Sequence, residues 1–161
     1  MSDAGLIEKI GIEKSGIEKT GGCQCGHVRY RVRLANEEAY LCHCRMCQRA
    51  TGGFAASFFN VPQTQLIWES EPDWYQSSAI ARRPFCHACG TPLGFQYLEG
   101  PNCDLTVGSL DDPQGMHPTS HFGIEHLIHE DWLDTHNLPK NRLDEYQPLL
   151  DRWVKAGIET P

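Results

Sequence analysis

No stretch of this sequence stays apolar for more than a few residues, so nothing in it approaches the roughly 20-residue length of a membrane-crossing helix. The N-terminus lacks a basic segment followed by an apolar core, so no signal peptide is expected and the expected location is cytoplasmic. Clustered cations are missing too: 14 Lys and Arg stand against 21 Asp and Glu, and no basic run interrupts the formal net charge of -7. Binding to a phosphate backbone needs such clusters, which excludes nucleic acid as an expected partner, as the absent span excludes a membrane. Nor does a thioredoxin-like βαβ pattern surround any C-x-x-C pair, so a dithiol redox role is set aside.

What the chain has in quantity is cysteine, eight in 161 residues. A disulfide framework expects a short secreted chain, and neither condition is met. Cysteines at C-x-C and C-x-x-C spacing are more economically metal ligands. The length suits one domain, large enough to bury roughly 68–70% of the surface its unfolded form would expose.

Two constellations emerge. Cys23-x-Cys25 and Cys86-x-x-Cys89 are half-sites with two thiolates each and flanking glycines. Together they predict a four-sulfur tetrahedral site for structural zinc that ties two distant hairpins. Cys42-x-Cys44-x-x-Cys47 offers three local thiolates. A zinc that does chemistry keeps one position for water or substrate, so three ligands point to an open site. A fourth protein ligand, His43 or His121, would instead make it a staple. Cys103 is the odd cysteine, read most simply as a packed or free thiol, with completion of the Cys42, Cys44 and Cys47 site as the alternative. His43, between two ligands in an extended segment, points away from them.

Along the chain, Leu6-Ile7-Glu8-Lys9-Ile10, Gly11-Ile12-Glu13-Lys14-Ser15 and Gly16-Ile17-Glu18-Lys19-Thr20 form a repeat whose five-residue period fits neither a helix nor a strand face. Residues 1–20 are therefore expected to be an extension, dispensable for folding, with the domain covering 21–161. From His27 the chain alternates, with Val28, Tyr30, Val32 and Leu34 on a buried face. A short helix is expected through Arg45 to Ala50, ended by Gly52-Gly53. Further strands are expected at 54–61, 66–68, around Trp74-Tyr75, at 93–97 and at 105–107, in a β-meander pattern. Loops and short pieces are expected from Pro113 to Pro148. A final helix should carry Leu149, Leu150, Trp153 and Val154 on one face, with Pro148 in its first turn and Gly157 at its stop.

The order Gly22-Cys23-Gln24-Cys25-Gly26-His27-Val28-Arg29-Tyr30, Cys42-His43-Cys44-Arg45-Met46-Cys47-Gln48-Arg49, Phe85-Cys86-His87-Ala88-Cys89-Gly90-Thr91-Pro92-Leu93 and Gly108-Ser109-Leu110-Asp111-Asp112-Pro113, with His121 and Trp132 beyond, resembles the glutathione-dependent formaldehyde-activating enzyme family, which also includes centromere protein V. The resemblance covers about residues 21–135. It implies a mostly β, β-tent fold of packed antiparallel sheets with zinc knuckles. It further implies two zinc ions per chain, a structural one on Cys23, Cys25, Cys86 and Cys89 and a catalytic one on Cys42, Cys44 and Cys47. The implied reaction joins the glutathione thiol to formaldehyde and is classed as a carbon-sulfur lyase. Phe122 stands where many members carry a smaller aliphatic residue.

Two function classes follow. An enzyme would use the three-cysteine zinc to hold a thiol and polarise a carbonyl. Arg45, Arg49 and Arg83 are candidates to meet glutathione carboxylates, and His121 or His43 to move the proton. A non-catalytic module would use the same sites to carry glutathione or bind a protein partner. The oligomeric state is not legible in the sequence.

Overall fold

The computed structural model describes residues 16–129, 145 and 147–157. The chain divides into two compact units, Met1–Ile128 and His129–Pro161. The first is mostly β. Strands β1 (Ile17–Gly22), β2 (Arg29–Leu34) and β5 (Leu66–Trp68) make a three-stranded antiparallel sheet in the order β1-β2-β5. The larger sheet has seven strands: β3 (Glu38–Cys42), β4 (Ala56–Pro62), β6 (Asp73–Ser78), β7 (Ala81–Phe85), β8 (Gly94–Tyr97), β9 (Asn102–Thr106) and β10 (His117–Phe122). Their order is β10-β3-β4-β9-β8-β7-β6. Helix α1 (Arg45–Thr51) follows β3, and α2 (Gln147–Ala156) lies in the second unit.

The packing follows from strand alternation. Val28, Tyr30, Val32 and Leu34 are buried, as their spacing predicts, and join Phe59, Val61 and Leu105 of the large sheet, and Leu93 just before β8, in the main core. On β4 successive side chains point to opposite faces. Phe59 and Val61 therefore enter that core, while Ala56 and Phe58 join a second cluster with Cys42 and Cys47. The three-cysteine segment thus lies on the face of the large sheet turned away from the main core. Both faces of one sheet are used, one for stability and one for a site.

Three features differ from the sequence reading. Residues 17–20, assigned there to the extension, form most of β1 and pair with β2 from Ile17↔Leu34 to Gly22↔Arg29. Lys19 Nζ donates to the carbonyls of Asp112 (3.2 Å) and Gln114 (2.9 Å), and Thr20 Oγ1 to Asp111 (2.6 Å). The side chains of β1 are mostly exposed, so its pairing runs through the backbone and leaves no apolar pattern to read. Second, the sheets are not wholly antiparallel, because β10 pairs with β3 in parallel. Third, β10 lies where loops were expected. All six of its side chains are exposed, which removes the alternation that marks a half-buried strand.

The expected helix 45–50 is present, and Gly52 caps it with a positive φ of 72° and an N–H to the Gln48 carbonyl. The final helix is also present, with Gly157 at a positive φ of 67°. The first two repeats, residues 1–15, and Trp132 lie outside the described residues.

Candidate metal centre

All eight cysteines are free thiols. Cys23, Cys25, Cys86 and Cys89 converge with every sulfur within 4.8 Å of the others, and so do Cys42, Cys44 and Cys47. Cys103 stays apart, buried in the main core with its sulfur toward the Phe95 carbonyl.

In the four-sulfur cluster Cys23 and Cys25 come from the turn between β1 and β2, and Cys86 and Cys89 from the knuckle between β7 and β8. The cluster therefore joins the small sheet to the large one. The Cys23 and Cys25 sulfurs are 3.5 Å apart and those of Cys25 and Cys86 3.8 Å. Sulfurs held at about 2.3 Å on tetrahedral directions around zinc stand about 3.8 Å from one another, so the donor set fits that ion. The Val28 N–H donates to Cys23 Sγ at 3.2 Å, and the Thr91 hydroxyl lies 3.1 Å from Cys89 Sγ. The Thr91 contact is the main reason the Cys89 thiol is lowered to about 5. The His27 backbone N–H is the strongest single influence on Cys25 and favours its thiolate, but the Cys23 sulfur, burial and the Cys89 and Cys86 sulfurs together outweigh it and push Cys25 up to about 12. Thiols so crowded cannot all ionise without a cation between them.

The three-cysteine cluster is assembled locally. Cys42 ends β3, Cys44 is the N-cap of α1, and Cys47 lies in its first turn. The Cys47 N–H donates to Cys44 Sγ at 3.4 Å, so the sulfur takes the place of a capping oxygen. Burial raises Cys42 to about 12 and also raises Cys47. Against Cys47's burial stands Arg83, itself only 7% exposed, whose Nη2 donates to Cys47 Sγ at 3.4 Å. The Arg83 guanidinium also lies 5.0 Å from the Phe95 ring centre. A buried cation against a thiol favours its ionised form and supports a metal ligand there.

Close contacts fasten this site to the end of β10 and to the segment that follows it. Gly123 has a positive φ of 68°, and a Cβ on it would stand 3.0 Å from the Cys44 nitrogen. The His43 N–H donates to the Phe122 carbonyl at 2.8 Å. Gln48, buried on α1, donates from Nε2 to the carbonyls of Phe54 (3.0 Å) and His126 (3.1 Å). Its role was not legible, because a polar residue inside a helical stretch reads as solvent-facing.

The other candidates separate. His43 is fully buried, with Nε2 2.9 Å from His121 Nδ1 and the two rings stacked. Neither histidine joins the sulfur cluster. His43 Nδ1 has no partner among the described residues. The Arg45 guanidinium donates to Gln48. Arg83 and Met46 line two adjoining cavities. One, of about 190 Å³, contains Cys42, Cys44 and Cys47. The other, of about 510 Å³, is lined by Arg49, Thr51, Tyr75 and Thr106 among others. The aromatic side chains of the first cavity were missed, since they come from β3, β4, β8 and β10 and only the fold brings them together.

Comparison with known proteins matches residues 18–126 to the model of a family described as "glutathione-dependent formaldehyde-activating enzyme". An uncharacterized lyase of Schizosaccharomyces pombe is 33% identical over 84 residues, which span 51% of this chain and 60% of that protein. A Rhodobacter sphaeroides protein of known crystal structure is 25% identical, with a TM-score of 0.52 over 63% of this chain and 98% of that one.

Proposed function

The chain belongs to the glutathione-dependent formaldehyde-activating enzyme family, and from that membership we propose that it is a zinc-dependent carbon-sulfur lyase-type enzyme that adds glutathione to formaldehyde or a related small carbonyl. The observation that carries this reading is the convergence of three thiols with Arg83 on a cavity that adjoins a larger one. Cys42, Cys44 and Cys47 would hold a zinc ion with an open position, and Cys23, Cys25, Cys86 and Cys89 a second, structural one. Zinc at the open site supplies a cation that favours the ionised form of a thiol and polarises a carbonyl oxygen.

The chain's own residues do the rest. A cavity of about 510 Å³ has the size of an ordinary ligand pocket and accommodates a tripeptide thiol. Arg49, on its wall, offers the fork that suits a glutathione carboxylate. Arg83 is held on Cys47 and stands where the two cavities meet, so its charge acts on sulfur rather than as a free clamp. In the reaction the thiol sulfur bonds to the carbonyl carbon, the carbon-oxygen π bond opens, and the thiol proton ends on oxygen. No electron acceptor is needed. His121 stacks on His43, so any role for it in moving that proton would run through the pair.

The named homologue of Schizosaccharomyces pombe is a lyase, which favours this reaction class for the present chain. Free thiols throughout and no helix among the described residues long and apolar enough to cross a membrane accord with a cytoplasmic setting. The test is the rate of S-hydroxymethylglutathione formation, followed by NMR exchange, in the zinc-loaded parent and in Cys44→Ser. Acceleration by the parent and none by the variant is expected. Equal rates in both would remove the three-cysteine site from the chemistry.

A further inference from the structure

The cavity that holds the three thiols is far more apolar than formaldehyde requires. Its walls carry Tyr40, Phe58, Ile80, Phe95, Tyr97 and Phe122, and its volume is about 190 Å³. An apolar cavity of about 150 Å³ takes a benzene molecule, whereas formaldehyde has two heavy atoms and little apolar surface to bury. Ile80 (65% exposed), Phe122 (63%) and Tyr97 (50%) stand out at the rim. These side chains lie around one opening rather than scattered singly, and a clustered apolar rim of this kind marks a place where apolar ligand surface is received. Besides the thiols and the tyrosine hydroxyls, the polar side chains of the lining are Arg83, which touches the Cys47 sulfur, and Ser78.

We infer that this compartment receives a ring-sized apolar carbonyl compound, an aromatic aldehyde of about eight heavy atoms, with its carbonyl toward the thiols and its ring among the aromatic walls. The inference rests on the thiol-addition reading for its reaction and on the cavity alone for its ligand class. The reaction balances as before: the glutathione sulfur bonds to the aldehyde carbon, the carbonyl π bond opens, and the thiol proton goes to oxygen. A ring that removes even about 60 Å² more apolar surface from water than formaldehyde does should raise kcat/KM about tenfold.

The full zinc-loaded chain is given glutathione with either benzaldehyde or formaldehyde, and adduct exchange is followed by NMR. Binding of benzyl alcohol, which has the ring but no carbonyl, is followed separately by saturation-transfer NMR. Benzaldehyde is expected to exceed formaldehyde about tenfold in kcat/KM, and benzyl alcohol to bind through its ring protons. Ile80→Asp, at an exposed rim position that the fold tolerates, should lower the benzaldehyde-to-formaldehyde ratio and weaken benzyl alcohol binding. Turnover of formaldehyde alone with no binding of benzyl alcohol overturns this inference and leaves the thiol-addition reading intact. Binding of benzyl alcohol that Ile80→Asp weakens, with neither aldehyde turned over, upholds the ligand class and removes the enzymatic reading.

Discussion

Replacing Cys86 with Ser removes one sulfur from the cluster that joins the β1-β2 turn to the knuckle between β7 and β8. Cys86 is fully buried, and Cys25 is 61 residues away in sequence while its sulfur is 3.8 Å away in space. A tie of that span withdraws from the unfolded chain about 4 kcal/mol of loop-closure entropy. Against a net stability of about 5–15 kcal/mol for a small domain, this is a large fraction. At about 4 °C per kcal/mol for a unit of this size, melting should fall by roughly 16 °C. Cys44→Ser gives the contrast, since Cys42 and Cys47 are only five positions apart. Closing so short a loop is worth about half as much, and the fall in melting temperature should be about half. The assay is zinc content by elemental analysis together with calorimetric melting of the parent and both variants. Two zinc ions per parent chain and one in each variant are expected, with Cys86→Ser clearly the less stable. Parent-like zinc and melting in Cys86→Ser would refute the structural tie, and equal losses in the two variants would refute the loop-length reasoning.

A Cβ on Gly21 would stand 2.4 Å from both the Ser109 carbonyl oxygen and the Tyr30 hydroxyl. Gly21→Ala should therefore destabilise the first unit by about 1–3 kcal/mol in a denaturant titration, and an unchanged midpoint would contradict the packing. Arg29 donates to Asp111 through both terminal nitrogens and holds its carboxyl below the usual range, with help from Thr20. The ordinary carboxyl value is about 3.9, so this contribution is complete above about pH 5 and is lost as pH falls through 3.9 toward the lowered folded value. Both partners are about a third exposed or more, which limits the effect to at most about 1 kcal/mol. Asp111→Asn should accordingly show a shallower fall in stability between pH 5 and 3 than the parent, and identical slopes would remove Asp111 from the acid response. Removing residues 1–20 strips Lys19 and Thr20 of their bonds to the 111–114 loop. At about 1 kcal/mol per hydrogen bond, its melting should lie roughly 10 °C below that of a chain lacking only 1–15, and equal melting would restore the sequence boundary at Gly21.

Both sulfur clusters were legible in the sequence because metal ligation demands particular residue types: cysteines two or three positions apart reach one ion locally, and the two-thiolate halves at Cys23-Cys25 and Cys86-Cys89 each lack the two ligands that the other supplies. The buried face of β2 and the short helix at Arg45 were legible for a similar reason, since alternation and a glycine stop act over neighbouring residues. The tertiary structure alone decided what depends on distant partners. Strand β1 is held by backbone pairing, and β10 lies parallel to β3 with every side chain exposed, so neither leaves a pattern of its own. Arg83 reads as one basic residue among several until the fold sets it on Cys47, 36 positions away. The aromatic compartment is likewise a product of register. Phe58 and Phe59 are adjacent and chemically alike, yet the pleat sends Phe59 into the main core and Phe58 to the cysteine site.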